Sequence, residues 1–290
     1  MLHNILSFLS AQAAVQTCVL ARRWRHLWRS TTGLRIGSLD GADPVQDLWV
    51  FVDHLLILRE RTDLDTVEIK LVQCSEDDEP YVKLWTRFAV MCKVRVLTLH
   101  IYDPYLYLED LPIVSRHLTT LDLEGLGLND TFLDFASCPA PALEHLKMNV
   151  CDVSVDKISS HTLKHLSITN CRADSGEEVH LSTPGLISLK LDGFAGSTPI
   201  LENMASLETA LDCGSLLGGI SSAKHLELIS EFGKGPNHMV EMKGSYSSVE
   251  RLPGTSEHLN IVEVKCNTVD GRILKVLKFL CAFNIRFSFE

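Results

Sequence analysis

One short frame recurs along this chain: an apolar residue, two unconstrained positions, a second apolar residue, one unconstrained position, and a third apolar residue. It stands at Leu64/Val67/Ile69, Val94/Leu97/Leu99, Leu118/Leu121/Leu123, Leu143/Leu146/Met148, Leu163/Leu166/Ile168 and Leu186/Leu189/Leu191. Weaker copies stand at Ala223/Leu226/Leu228 and Leu259/Val262/Val264. From Val94 to Leu186 the copies are 24, 25, 20 and 23 residues apart. The last two apolar positions of each copy lie two apart, so they share one face of a short strand. A single strand cannot bury that face. Stacked neighbours can, which points to a solenoid with a parallel sheet along one side.

The spacing is that of leucine-rich repeats. The frame's further Asn/Cys-x-apolar tail is present as Cys151 and Val153, Cys171 and Ala173, and Asn267 and Val269. The positions flanking and between the buried pair give a check. Of 24 such positions in the eight copies, all but Val96, Ile229 and Ile261 are polar. A sheet covered on both faces would be apolar at most of them. The expected fold class is therefore α/β, a leucine-rich-repeat solenoid with a curved parallel sheet, its repeats spanning 63–230. The copy near Leu207 is degenerate, with Ala210 and Asp212 where apolar residues belong. Gly233, Gly235, Pro236 and Gly244 mark 231–258 as an irregular loop region. The segment 259–290 reads as a last repeat, a helix capped by Asp270 with Ile273, Leu274, Leu277, Leu280 and Cys281 on one face, and a closing strand with Ile285, Phe287 and Phe289 alternating.

Ahead of the repeats, 36–62 reads as a linker and capping helix. Asp43-Pro44 suits a helix start, and Val45, Leu48, Trp49, Val52, Leu55 and Leu56 follow at helical spacing. The run Glu76-Asp77-Asp78-Glu79 reads as a solvated loop and lacks the spacing of a calcium loop. Residues 1–35 are expected to be helical. Leu2, Ile5, Leu6 and Leu9 form one stripe, Ala11, Val15, Cys18 and Val19 a second, and Trp24, Leu27 and Trp28 a third. So short a segment buries little alone and must dock on the body or on a partner. Its charge also sets it apart. Residues 1–39 hold five arginines and no acid, whereas the whole chain carries a net charge of −10. An acidic body is a poor nucleic-acid binder, because neutralising phosphates takes Lys and Arg. The nine cysteines show no CxxC spacing, which suits free thiols in a reducing compartment, cytoplasm or nucleus. No apolar run is long enough for a membrane span, and the arginines follow the N-terminal apolar stretch instead of preceding it, unlike a signal peptide.

Three segments of the head, Asn4-Ile5-Leu6-Ser7-Phe8-Leu9, Ala14-Val15-Gln16-Thr17-Cys18-Val19-Leu20 and Arg22-Arg23-Trp24-Arg25-His26-Leu27-Trp28, closely resemble the plant F-box motif. The tail Val262-Glu263-Val264-Lys265 through Leu277-Lys278-Phe279-Leu280 is similar to the C-terminal region of plant F-box proteins with leucine-rich repeats, the FBD-related group. With repeats between such ends, the resemblance covers essentially the whole chain. It implies a short all-α F-box-like segment before the solenoid. It also implies a substrate-recognition subunit of a cullin–RING ubiquitin ligase, in which the head binds a Skp-type adaptor and the repeats bind an unknown target protein. Carried onto this chain, the adaptor-binding candidates are Ile5, Leu6, Leu9, Val15, Val19, Leu20, Trp24 and Trp28, some of which must be internal core instead. The family motif opens with a Leu-Pro pair upstream of the Ser-Phe-Leu segment, whereas this chain starts at Met1-Leu2-His3. The expectation is an N-terminally shortened F-box. The alternative reading is accordingly a repeat-based interaction scaffold without a ligase role.

Other readings have less behind them. Arg22–Arg29 could be a basic nucleic-acid helix, but Trp24 and Trp28 at this spacing suit packing better than base stacking. There is no P-loop, GxGxxG after a strand, GxSxG or HExxH, so neither catalysis nor a cofactor is expected. His145, His165 and His225 occupy one repeat position and read as solvent-facing residues in preference to metal ligands. Cys151 and Cys171 suit the repeat's own buried turn better than a catalytic role. On the exposed sheet face, His145, Lys147, His165, Lys190 and Glu227 are the expected substrate contacts.

Overall fold

A computed structural model describes residues 2–37, 45–72, 74–102, 106–108, 113, 115–130, 142–173, 179–195, 199–202, 204 and 206–212, with backbone only at 45–47 and 210–212 and in the strands at 225–230, 261–266 and 286–289. The helices are α1 (Leu2–Leu6), α2 (Ala11–Gln16), α3 (Val45–Leu58) and α4 (Glu79–Met91), with 3₁₀ turns at Thr17–Val19, Arg22–Trp24, Leu27–Ser30 and Glu76–Asp78. The strands are β1 (Gly33–Gly37), β2 (Thr66–Val72), β3 (Val96–Tyr102), β4 (Leu106–Tyr107), β5 (Thr120–Glu124), β6 (Leu126–Asn129), β7 (His145–Asn149), β8 (Asp152–Ser154) and β9 (Lys157–Ser159). They continue as β10 (His165–Thr169), β11 (Arg172–Ala173), β12 (His180–Ser182), β13 (Ser188–Asp192), β14 (Ile200–Glu202), β15 (Thr209–Asp212), β16 (His225–Ser230), β17 (Ile261–Cys266) and β18 (Arg286–Phe289).

Among the described residues, eleven strands form one sheet in the order β1-β2-β3-β5-β7-β10-β13-β15-β16-β17-β18. All its pairings are parallel, and every frame copy supplies one strand. This is the solenoid that the repeat implies. The frame residues stack in rows: Leu97 beside Leu121, Leu121 beside Leu146, Leu146 beside Leu166, and Leu166 beside Leu189. All five are essentially solvent-free. Burying one such side chain is worth about 1.5–3 kcal/mol, so the rows are the main stabilising element. The degenerate copy still forms β15, with Ala210 and Asp212 in register with Leu189 and Leu191. Its backbone pairs with β13 on one side and β16 on the other, which holds a strand where the apolar pattern lapses.

Two further ladders run through the middle coils and were not legible as strands. One has the order β11-β8-β6-β4, the other β14-β12-β9. The corner between the main strand and the next ladder repeats its backbone geometry. Gly125, Val150, Asn170 and Gly193 each follow a main-sheet strand directly, and each has positive φ. Three of their N–H groups donate into the next coil: Gly125 to Asn149 O at 3.3 Å, Val150 to Thr169 O at 2.9 Å and Asn170 to Asp192 O at 2.7 Å. A Cβ on Gly125 would lie 1.8 Å from Ile101 O, so this corner excludes a side chain outright.

The sheet begins one strand earlier than the repeat frame. Gly33–Gly37 was expected within or beside the helical head, but it pairs along its length with β2. Leu34 and Ile36 join the core. Five residues with a glycine at each end make a weak strand alone, and the free edge of β2 decides the matter. The acidic run 76–79 also differs from expectation. It is not a loop but the start of a helix. The backbone N–H of Ser75 donates to Asp78 Oδ2 at 2.8 Å, its Oγ does so at 2.9 Å, and Pro80 occupies the first turn of α4. Acids at that end also complement the helix dipole. α4 packs on α3: Trp49 stacks on Tyr81 at 5.4 Å and touches Trp85 at 4.9 Å, and Trp85 Nε1 donates to Asp53 at 3.3 Å. The α3 residues Leu48, Trp49, Val52, Leu55 and Leu56 are buried, as their spacing implied. The helix start at Asp43-Pro44, the 231–258 segment and the C-terminal helix from Asp270 lie outside the described residues.

The head docks on the first coil. Ser10 caps α2 by accepting from Ala13 N at 3.2 Å. Leu6, Ala11, Ala14 and Trp28 are buried, the last three in the same core as Leu34 and Leu55. Gly33 lets the chain pass close under Ser7, whose Oγ accepts from Gly33 N at 3.3 Å.

Candidate interaction surfaces

The side chains between the buried rows form the outer face of the main sheet. On it the strand register builds rows of its own. His145 pairs with His165 and then Ser188, while Lys147 pairs with Ser167 and then Lys190. The imidazoles of His145 and His165 stack with centroids 4.6 Å apart and planes inclined by 7°. Burial, followed by the charge of His145, pushes the His165 pKa below its ordinary value. Beside them the exposed Lys164 Nζ sits 2.7 Å from Glu144 and holds that carboxyl below its usual range. Glu227 lies in the same register row as Lys190, through Leu211. Four of the five expected contacts are thus neighbours on three strands, and the fifth is in line with them.

Nearer the N-terminal coils the face is acidic and internally paired. His100 contacts Asp122 at 3.2 Å through Nε2 and Glu124 at 3.3 Å through Nδ1. Asn149 donates to Glu124 at 3.1 Å, and Thr169 donates to Asn149 Oδ1 at 3.0 Å. The bond to His100 lowers the Asp122 pKa. Glu68 accepts from Lys70 at 2.7 Å, with Arg35 at 3.7 Å. Repeat spacing could not reveal which of these polar residues satisfy one another, because all the pairs but Glu68–Lys70 join different coils.

Two of the buried cysteines, Cys151 and Cys171, belong to the corners. Cys151 Sγ donates to Asn149 O at 3.3 Å, Cys171 Sγ donates to Thr169 O at 3.4 Å and accepts from Cys151 N at 3.4 Å. Its hydrogen bond with Cys171, and then burial, push the Cys151 thiol up. Burial pushes Cys74 up to about 12. Such thiols are poor nucleophiles. Among the described residues no three His, Cys, Asp or Glu side chains form a group able to hold a metal ion, and no helix is long and apolar enough to cross a membrane.

The head presents a second surface. Leu6 and Trp28 turn inward, Leu9 and Val15 pack partly against the core, and Trp24 is half-buried. Ile5, Val19 and Leu20 point outward, with Val19 82% and Leu20 71% exposed. Phe8, which the stripe analysis passed over, is 71% exposed and lies 5.8 Å from the Arg35 guanidinium. Its signal was present: it falls off the Leu2/Ile5/Leu6/Leu9 stripe, so it could not share that burial. Arg22, Arg23 and Arg25, which follow Val19-Leu20 in the chain, are exposed as well.

This chain is similar to an FBD-associated F-box protein of Arabidopsis thaliana, 28% identical over 289 residues that cover 84% of the chain and 70% of the relative. It is 30% identical over 217 residues to MEIOTIC F-BOX protein MOF of Oryza sativa, covering 66% of the chain and 44% of that protein. An F-box/FBD/LRR-repeat protein of Arabidopsis thaliana is 26% identical over 86% of the chain and 62% of its own length. The chain is a homologue of plant FBD-associated F-box and F-box/LRR-repeat proteins. No family model matches it, and no solved structure matches it. This F-box/LRR homologue spans 44% to 70% of the length of the first relatives it matches. Its docked helical head and parallel-sheet solenoid agree with the two modules that those proteins' names contain.

Proposed function

We propose that this protein is the substrate-recognition subunit of a cullin–RING ubiquitin ligase. In this reading the 1–35 head binds a Skp-type adaptor, and the outer face of the repeats in 63–230 holds the target. The observation that carries it is the two-sidedness of the head. Leu6 and Trp28 anchor it to the solenoid, while Phe8, Val19 and Leu20 stand in solvent. Adjacent large apolar side chains left in water, as at Val19-Leu20, suit a protein partner. Of the adaptor candidates, Ile5, Val19 and Leu20 are free to make contact, joined by Phe8, with Leu9, Val15 and Trp24 at the margin. The protein itself performs no catalysis and needs no cofactor. It raises the effective concentration of a target lysine near the charged conjugating enzyme. Cytoplasm or nucleus suits its free thiols.

Co-expression with a plant Skp-type adaptor tests this. A stable complex that survives size exclusion, and is lost in Val19→Asp/Leu20→Asp, is the expected result. A well-folded chain that forms no complex at micromolar concentrations overturns the ligase reading and leaves a repeat-based interaction scaffold.

A further inference from the structure

We infer that the outer face between β7 and β13 is a binding site for an acidic, polyproline-type peptide segment whose carboxylates recur every third residue. The inference rests on the reading of this face as the target-binding surface and specifies what it takes.

Lys147 and Lys190 are both exposed, and neither forms an ion pair with a described residue. Lys147 neighbours Asp122 in the register, but His100 already engages that carboxylate at 3.2 Å. Among the described residues of this face, Lys70 is committed to Glu68 at 2.7 Å and Arg35 to the same carboxylate. Lys147 feels the Asp122 carboxylate only at longer range, so both lysines are ammonium groups outside any ion pair among the described residues, on a face with acids in the neighbouring coils. Asp122 and Glu124 precede them, and Glu227 and Glu263 follow in the register. Asp192 lies on β13 in the row beyond, beside Thr169. Negative flanks disfavour a long polyanion such as nucleic acid, which would have to cross them. A short segment with a few carboxylates fits between.

Geometry then selects the spacing. Lys147 and Lys190 stand on strands separated by β10, with Ser167 between them in register. Two strand spacings are about 10 Å. A polyproline-type helix repeats its face every third residue and rises about 9 Å in doing so. Acids at positions i and i+3 of such a segment, laid across the strands, therefore reach both ammonium groups from one side. A β-strand ligand does not match, since its same-face residues recur at about 7 and 13 Å. Ser167 supplies a hydroxyl between the charges, and the His145–His165 stack, continued by Ser188, borders the site along the preceding row. A polyproline segment loses little entropy on binding, which suits a shallow, open face.

The test uses the full chain and fluorescein-labelled peptides containing four repeats of Glu-Pro-Pro, four repeats of Gln-Pro-Pro, or the same number of glutamates placed at alternate positions. Fluorescence anisotropy should show salt-sensitive binding of the Glu-Pro-Pro peptide, at least about tenfold tighter than either control. Lys147→Glu/Lys190→Glu should abolish it, with unchanged circular dichroism, whereas Lys70→Gln on the same face should leave it intact. Equal binding of the three peptides, retention in the double variant, or binding of a single-stranded oligonucleotide that the double variant also loses without any peptide binding overturns the inference. Adaptor co-purification, measured separately, keeps the two readings apart. A complex without peptide binding refutes only this inference, and peptide binding without a complex refutes only the ligase role.

Discussion

Arg59 donates Nη1 to the carbonyl of Trp28 at 3.1 Å and to Thr31 Oγ1 at 3.0 Å, while Nη2 donates to Thr31 O. Arg59 follows α3 and is 7% exposed, and no carboxylate pairs with it among the described residues. A buried guanidinium thus satisfies the carbonyls that the last turn of the head leaves open, in place of a cap within the head itself. Arg59→Met would leave Thr31 O buried and without that donor, and Trp28 O with only the Thr31 Oγ1 donor at 3.2 Å. The expected cost is about 2–4 kcal/mol. In urea unfolding followed by tryptophan fluorescence, the head should detach first, and limited proteolysis should cut within 1–35 ahead of the solenoid.

Inward and outward residues of the head should separate cleanly on substitution. Leu6→Ala removes a side chain that is 1% exposed and should cost about 2–5 kcal/mol. Leu20→Asp changes a solvent-facing position and should shift stability by no more than about 0.5 kcal/mol, while weakening any adaptor complex. Thermal melts of the two variants beside co-purification would show the split. Equal destabilisation by both would contradict the docked arrangement.

Val150 has φ of +49° at a corner where the equivalent positions hold Gly125, Asn170 and Gly193. A β-branched side chain is poorly suited to that backbone. Val150 is partly exposed, so little packing is lost on replacing it. Val150→Asn, copying the next coil, should stabilise the chain by about 0.5–1 kcal/mol in chemical denaturation. A loss of stability would mean that the corner has another requirement.

The hydrogen bond from His100 holds the Asp122 carboxyl below its ordinary pKa. The unfolded chain therefore binds this proton more readily than the folded one. The stabilisation is complete above about pH 4 and is lost as pH falls through the lowered folded value. Asp122→Asn should flatten the acid limb of the stability–pH curve and leave its shape above about pH 5 unchanged. His165 bears on a different window. Its pKa is lowered by burial and by His145, so folding disfavours its protonation, and stability should fall as pH drops through the ordinary histidine range. His165→Asn should remove that component.

Much of the solenoid was legible because its rule is local and repeated. Leu97/Leu99, Leu121/Leu123 and Leu166/Ile168 obey a period of two at a spacing near two dozen residues, and stacking alone can bury them. The alternate face was legible by the same rule, and it placed His145, Lys147, His165 and Lys190 together before any contact was known. The short ladders were not, because two to four residues such as Arg172–Ala173 carry no period. The helix α4 was hidden by reading Glu76–Glu79 for charge alone, when Ser75, Asp78 and Pro80 spell a helix start.

What the amino-acid order determined by itself, then, is the coil: its period, its buried rows and its polar outer face. These follow from side-chain alternation along a strand and need no knowledge of what lies beyond the next copy. What only the tertiary structure decided is where separate coils and modules meet. Gly33–Gly37 becomes a strand because β2 offers an open edge. Leu6 turns inward while Phe8 and Leu20 remain in water, because Arg59 and Trp28 fix how the head sits. Lys147 is left without an ion pair among the described residues because His100, two strands before it, takes Asp122. Each of these outcomes depends on groups distant in sequence competing for one partner, and a local pattern holds no record of that competition.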